Sequence, residues 1–339
     1  MPALSDDPSC DPSPMAPAAA VVSFIIPVRD DAPRLRQCLE SIRRSDYPPE
    51  LYELIVVDNG SRDDSVDVAH RYSATVLEIP DLPIGQLRNR GSQEARGEIL
   101  AFVDADHEID PGWIRAAVEV LEDPTIEAVG ALCTAPPAGT WVQRAYDSLR
   151  ARQPGSRDVE WLGSGNLAVR RKTFQQLGGF DTRLETCEDV DLCLRLRAAG
   201  HRIVSDARLR SVHFGDPPTL RRLFLGELWR GRDNLRASLK GPTSLRGIPS
   251  IVIPLVDLGC LVLVAVGALS FRREGLLLAA VAALVPVGFA SLRTVRMMIN
   301  SPDRGLLGLA PAFAVAIVYD VARALALVFR HRHHRARRR

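Results

Sequence analysis

At 339 residues the chain has room for one large domain with an appendage, or for two domains, and a formal net charge of +2 points to no partner by itself. Charge distribution says more: residues 330–339 are a run of Arg and His broken only by Ala336, while the first dozen residues carry acids and no base. The six cysteines (Cys10, Cys38, Cys133, Cys187, Cys193, Cys260) form no Cys-x-x-Cys pair and no metal-finger spacing, which leaves reduced thiols suited to a cytosolic face.

Residues 1–20, rich in Pro, Asp and Ala, read as a disordered leader and lack the basic flank of a signal peptide. Residues 21–28 are a nearly continuous β-branched run, as expected of a strand covered on both faces. Leu35, Cys38, Leu39 and Ile42 then recur at helical spacing and predict a helix packing one stripe on a sheet. Strands over 54–57, 75–79 and 98–103 alternate with a polar helix start near 63–65 and a helix over 84–96. This alternation predicts a parallel α/β sheet with right-handed crossovers, whose ligands bind at the carboxyl ends of the strands.

The acids follow that rule. Asp30 and Asp31 follow the first strand, Asp58 the second, and Asp104 and Asp106 the fourth. Asp104 and Asp106 would face opposite sides of a continuing strand, so they serve one ligand only where the chain turns, and Asp110-Pro111-Gly112 supplies a turn signal. Two carboxylates held together repel unless a cation lies between them; the plainer alternative is that they cap the helix starting near Pro111.

Beyond Pro111 the pattern predicts a helix over 114–121, a strand over 126–132, a helix over 141–151 and a polar loop over 153–160. A short strand over 167–169 and a helix over 172–177 follow, with a turn at Gly178-Gly179-Phe180. The next helix opens at Glu188-Asp189, where the macrodipole favours ionised carboxylates, and ends at Gly200.

Taken in order, Ser23-Phe24-Ile25-Ile26-Pro27-Val28, Val56-Val57-Asp58-Asn59-Gly60-Ser61, Arg88-Asn89-Arg90-Gly91, Asp104-Ala105-Asp106, Gly163-Ser164-Gly165-Asn166 and Glu188-Asp189 resemble the motifs of family 2 glycosyltransferases of the GT-A fold. The resemblance covers about residues 21–215. It implies inverting transfer from a nucleoside diphosphate sugar, dependent on Mg²⁺ or Mn²⁺. Carried over by position, Pro27, Asp30, Asp58, Arg88 and Asp104 belong to the donor-binding set, with Asp30 and Asp58 on the nucleoside and Asp104 on the ribose or the metal. Asp106 is implied as metal ligand, His213 as a further metal or diphosphate contact, and Asp189, beside Glu188, as the general base. Arg29-Asp30-Asp31 departs from the family's usual aromatic-Asn, which weakens the Asp30 assignment. His107 reads as local structure, and Arg88 and Arg90 as arginines of a helix that could reach the diphosphate.

These residue types suit the chemistry without the family name. A hard dication on carboxylate oxygens neutralises a leaving diphosphate, and a positioned carboxylate that takes the acceptor's proton contributes about 10²- to 10⁴-fold.

From residue 217 the composition shifts. Residues 220–239 mix Leu, Phe and Trp with five arginines and predict an amphipathic helix at a membrane surface, or else a helix packed on the sheet. The Gln-x-x-Arg-Trp motif of processive relatives such as cellulose synthases is absent around Trp229, so a single transfer is expected. Residues 251–271, 276–292 and 306–329 are candidate membrane spans. Asp320 and Arg323, at i and i+3, are placed to neutralise one another. Three full crossings would put the arginine-rich tail opposite the catalytic domain, against the positive-inside tendency, so two full crossings, one partial crossing and a cytosolic tail are expected.

The expected organisation is a leader (1–20), a GT-A domain (21–216), an amphipathic segment (217–247), two to three transmembrane helices (248–330) and a basic tail (331–339) against anionic lipid rather than nucleic acid. The expected function is a glycosyltransferase of the inner (plasma) membrane with a cytosolic catalytic domain. It would serve a lipid-linked or glycan acceptor in envelope polysaccharide or glycolipid synthesis. The alternatives are transfer onto polyprenyl phosphate and a non-catalytic sugar-nucleotide-binding scaffold.

Overall fold

The computed structural model describes residues 21–150, 154–238, 248–300 and 308–329. The expected leader, the basic tail and residues 239–247 of the expected interfacial segment lie outside them. So does Cys10; the five described cysteines form no disulfide.

The first half alternates as the sequence predicts: β1 (Val22–Val28), α1 (Ala32–Arg43), β2 (Tyr52–Asp58), α2 (Ser65–Arg71), β3 (Thr75–Glu78), α3 (Ile84–Glu94) and β4 (Ile99–Val103). Next come β5 (His107–Ile109), α4 (Trp113–Val120), β6 (Ile126–Gly130), α5 (Trp141–Asp147), β7 (Ser156–Asp158), β8 (Asn166–Arg170), α6 (Arg171–Gln176), α7 (Glu188–Ala198), β9 (Arg202–Asp206) and β10 (Ser211–His213). Eight strands form one sheet in the order β3-β2-β1-β4-β8-β6-β9-β7. β1 to β4 are parallel to one another, β8 runs antiparallel between β4 and β6, β9 is parallel to β6, and β7 is an antiparallel edge.

Strand periodicity divides β1 between two cores. Val22, Phe24, Ile26 and Val28 face the layer containing Leu35, Cys38, Leu39 and Ile42 of α1. Ile25 faces the opposite layer with Ile55, Val57, Leu87 and Phe102. Each fully buried side chain of this kind contributes about 1.5–3 kcal/mol, which is why a run apolar at nearly every position selects a strand covered on both faces. Gly91 lets α3 lie against this sheet, since a Cβ there would come within 2.6 Å of Ile25 Cγ2.

β5 and β10 form a separate two-stranded ribbon pairing His107 with His213. The sequence marks residues 208–212 as strand-like, which overlaps β10, but does not predict β5, β9, or β7 within the expected polar loop. Strands of three residues are too short to display a period, and β9 offers only Ile203 and Val204 as apolar residues.

The expected amphipathic helix is two helices, α8 (Leu220–Arg230) and α9 (Asn234–Ser238). Three long helices follow: α10 (Ile248–Leu269), α11 (Arg273–Asn300) and α12 (Leu309–Leu325). α10 and α11 are long and apolar enough to cross a membrane. α12 spends its apolar stripe on protein: Ala312, Val315 and Ala316 pack with Val142 and Ala145 of α5, Leu223 of α8, and Ala290 and Met297 of α11. Asp320 pairs with Arg293 of α11 at 2.7 Å, whereas Arg323 turns to Glu227 of α8 at 3.6 Å. This corrects the expected Asp320–Arg323 pairing, because each group has an oppositely charged partner on a packed neighbouring helix.

Candidate active site

The Asp-x-Asp segment is a turn directly after β4. The turn is closed by the His107 amide donating to the Asp104 carbonyl at 3.0 Å, and the side chains of Asp104 and Asp106 stay 32% and 25% exposed. Capping is not their role: the N-cap of α4 is Gly112, without a side-chain hydrogen bond.

Arg88 is buried, not part of an exposed helix face. Its Nη2 donates to Asp104 Oδ1 at 2.6 Å and its Nη1 to Glu188 Oε1 at 2.7 Å, with the Phe180 ring 5.7 Å from the guanidinium carbon. One guanidinium thus joins the acid turn after β4 to the acid pair opening α7. Arg90 is exposed.

Gly163-Ser164-Gly165-Asn166 serves the same junction. The Ser164 amide donates to Asp189 Oδ2 and its hydroxyl to Glu188 Oε1, both at 3.4 Å. Asn166 is consumed structurally, accepting from Trp113 Nε1 and donating to the carbonyls of Ala131 and Leu209. Asn89 bonds both the amide and the carbonyl of Phe180, fixing the loop that leads to α7. Cys187, immediately before the acid pair, holds a left-handed φ of 61°, a conformation costing a non-glycine residue about 1–3 kcal/mol.

The helix N-terminus does not govern Glu188 and Asp189. Burial and then the Asp189 charge push Glu188 up to about 7, against Arg88, and burial likewise raises Asp189. Desolvation outweighs the macrodipole because these carboxyls sit beneath the Ser164 segment rather than in water.

On the opposite side of the turn, His213 Nε2 lies 3.4 Å from Asp106 Oδ2 while its Nδ1 meets Asp216 Oδ1 at 2.7 Å. Burial opposes charging of His213, but Asp106 and Asp216 hold its proton well above the ordinary range. Asp106 is correspondingly held well below the usual carboxylate range by His213, against its own burial. Asp216 in turn takes a two-pronged contact from Arg150, which also bonds Asp147 at 3.0 Å. The sequence reading missed Asp216 and Arg150, which lie in no motif. It also undervalued His107, which faces the site from β5.

On the nucleoside side, Pro27 is buried in β1 beside Val57, and Asp58 ends β2. Asp58 Oδ2 accepts from the amides of Gly60 and Ser61, whereas its Oδ1 is buried with no hydrogen-bond partner. Asp30 has a left-handed φ of 51° and accepts the Arg62 amide at 2.8 Å. Asp31 pairs with Arg34 at 3.1 Å.

A hard dication fits the turn. Asp104, Asp106 and His107 each offer one ligand atom, all within 4.8 Å of one another. Glycines keep the space beside them clear: a Cβ on Gly165 would come within 2.7 Å of Asp104 Oδ2, and one on Gly215 within 2.0 Å of Asp106 Oδ2.

Residues 23–177 match the sequence model of glycosyl transferase family 2. Glycosyltransferase AglE of Haloferax volcanii is 32% identical over 192 residues, 53% of this chain and 62% of that protein. O-antigen biosynthesis protein RfbC of Myxococcus xanthus is 31% identical over 219 residues, 57% of this chain and 17% of that protein. Pre-mycofactocin glycosyltransferase of Mycobacterium tuberculosis strain H37Rv is 30% identical over 205 residues, 56% of this chain and 42% of that protein. The chain therefore spans less than two thirds of the length of each of these relatives. Among solved structures, mannosyltransferase PcManGT from Pyrobaculum calidifontis, in complex with GDP-Man and Mn²⁺, has a TM-score of 0.60 at 19% identity, covering 91% of this chain and 90% of that one. S. aureus TarS 1-349 in complex with UDP-GlcNAc has a TM-score of 0.50 at 16% identity, covering 90% and 91%. At these identities the likeness is one of fold, a mostly parallel GT-A-like sheet. Sequence match and fold match converge on the α/β half that carries the acid rim: residues 23–177 are similar to glycosyl transferase family 2, on a GT-A-like sheet.

Proposed function

We propose that the protein is a membrane-anchored inverting glycosyltransferase that moves a sugar from a nucleoside diphosphate sugar to the hydroxyl of a lipid-linked or glycan acceptor, in envelope polysaccharide or glycolipid synthesis. The observation that carries this reading is the Arg88 bridge, which holds the donor-side Asp104 and the acceptor-side Glu188 on one guanidinium.

In this reading the buried Asp58 Oδ1 receives a donor from the nucleoside, with Pro27 and Asp30 beside it. Asp104 orients the ribose, and Asp104 and Asp106, with His107 or His213, would hold Mg²⁺ or Mn²⁺. A bound dication neutralises charge on the leaving diphosphate. Asp189 accepts the acceptor proton as the hydroxyl oxygen bonds to the anomeric carbon and the bond to the diphosphate breaks. Its raised proton affinity makes it a stronger base than an exposed carboxylate. Glu188 stays with Arg88 and Ser164 and positions its neighbour.

Anchoring is supported by α10 and α11, whose 22 and 28 residues span about 33 and 42 Å at about 1.5 Å per residue, against a hydrocarbon core of about 30 Å. Two crossings return the chain to its starting side. The domain, α12 and the basic tail then share the cytosolic face of the inner membrane, as the positive-inside tendency favours.

Exposed Arg221 and Arg222 at the start of α8 favour a second reading, in which the acceptor is an anionic polyprenyl phosphate. Membranes carrying the protein, incubated with a panel of labelled sugar nucleotides, test the main proposal. Transfer from at least one donor, lost in Asp106→Ala, is expected; transfer unchanged in that variant overturns the metal assignment.

A further inference from the structure

We infer that His107, Cys133 and His213 form a second, softer metal site beside the Asp104–Asp106 turn, suited to Zn²⁺ or another thiophilic dication.

Three segments are zipped together at this point. β5 and β10 pair His107 directly with His213, so both rings stand on one face of the ribbon, 4.6 Å apart between centroids and tilted by 33°. The segment carrying Cys133 is stitched alongside: the Thr134 amide donates to the Ser211 carbonyl at 2.8 Å, and the His213 amide to the Thr134 carbonyl at 2.9 Å. One ligand atom each from His107, Cys133 and His213 lie within 4.8 Å of one another. Around a tetrahedral zinc, metal–ligand distances of about 2.0–2.3 Å set N–N and N–S separations near 3.3–3.5 Å, so the three donors close on an ion with shifts of at most about 1.5 Å.

Both imidazoles are also pinned as metal ligands usually are, through the other ring nitrogen. His213 Nδ1 meets the fully buried Asp216 carboxylate at 2.7 Å, and His107 Nδ1 meets Ser211 Oγ at 3.1 Å. Each ring is left its Nε2 as ligating atom, that of His213 standing 3.4 Å from Asp106 Oδ2, with the outer partner setting tautomer and orientation.

Donor chemistry separates this set from its neighbour. Asp104, Asp106 and His107 favour a hard ion, whereas two imidazoles and a thiolate favour zinc. Coordination releases the thiol proton of Cys133 and the imidazolium proton of His213 to solvent. Because His107 belongs to both sets, and His213 too on the proposed function, an ion in the soft site withdraws imidazole from the hard one. Zinc would then act as an inhibitor; this consequence rests on the proposed transferase activity, while the site does not.

The test uses the full chain in detergent, titrated with Co²⁺ as a spectroscopic stand-in for zinc. A near-ultraviolet thiolate-to-cobalt charge-transfer band saturating at about one equivalent per chain, and bleached by Zn²⁺, is expected. Cys133→Ser should abolish the band and weaken Zn²⁺ binding about tenfold or more, with Mn²⁺ binding changed less than about twofold. His213→Gln should also lose the band, and Cys187→Ser should keep it. A wild-type protein without the band, a band surviving in Cys133→Ser, or equal loss of Zn²⁺ and Mn²⁺ binding in that variant overturns the inference. None of these spectral readouts depends on sugar transfer, so failure of the proposed function leaves the test intact.

Discussion

Arg88 and Glu188 form a buried ion pair at 2.7 Å across a sequence separation of 100 residues, with 3% and 7% of their side chains exposed. Removing the guanidinium strands Glu188 and leaves Asp104 without its strongest partner. Arg88→Met is therefore expected to destabilise the domain by about 3–5 kcal/mol, the cost of breaking a buried pair from one side. Arg88→Met paired with Glu188→Gln should recover part of that loss. Thermal unfolding of the single and double variants checks both, and additive effects would mean that the pair is not coupled.

Asp106→Asn and Asp189→Asn separate two roles assigned to carboxylates. The first should abolish the response of activity to added Mn²⁺. The second should keep Mn²⁺ affinity and lower kcat by about 10²- to 10⁴-fold with a hydroxyl acceptor. Near-normal turnover in Asp189→Asn would favour the phosphate acceptor, whose oxygen needs little base catalysis.

Burial and then the Asp189 charge push Glu188 up to about 7 from its ordinary 4.5, because both penalise its ionised form. The folded chain binds this proton more tightly than the unfolded chain does. Its stabilising contribution is complete below about pH 4.5 and is lost as the pH rises through about 7. Thermal midpoints should fall across that window, and Glu188→Gln should flatten the slope. An unchanged slope in the variant would place the titration elsewhere.

Asp216 is held down to about 2: burial opposes its ionisation, but His213 and Arg150 favour it. Asp216→Asn removes the charge that fixes the His213 ring. Divalent-metal affinity should fall by about 10- to 100-fold, with kcat restored at saturating metal. Loss of kcat that added metal does not rescue would make Asp216 merely structural.

Glu227 of α8 is buried between Arg230 at 2.8 Å and Arg323 at 3.6 Å and accepts the Tyr146 hydroxyl at 2.8 Å. Glu227→Leu leaves two arginines facing apolar surface. A loss of about 3–5 kcal/mol is expected, together with faster proteolysis between the domain and α12. Limited proteolysis and thermal unfolding in detergent measure both effects.

The first four strands and the acid rim were legible because each apolar run is long enough to show its period and each acid falls where a strand must end. Asp104 and Asp106 needed only that logic. Asp216, Arg150 and Cys133 were not legible, since each gains its meaning from a contact between segments distant in sequence and none stands in a patterned element. The burial of Arg88 was not legible, because helical spacing does not show which turn α7 covers. Arg293, the actual partner of Asp320, lies on another helix, where i,i+3 reasoning has no reach.

The seating of α12 against α5, α8 and α11 would turn the proposed anchor into a gauge. A domain hung from its spans by a slack linker sweeps a volume and takes acceptors at any height. Here Arg323 of α12, Glu227 of α8 and Tyr146 of α5 tie the last helix to the domain, with Arg150 over the Tyr146 ring continuing the path to Asp216. With α10 and α11 in a bilayer, the rim stands at one height and one tilt above the lipid. On the function proposed above, acceptors would then be sorted by how far they protrude, and a chain that outgrows that distance would cease to be a substrate.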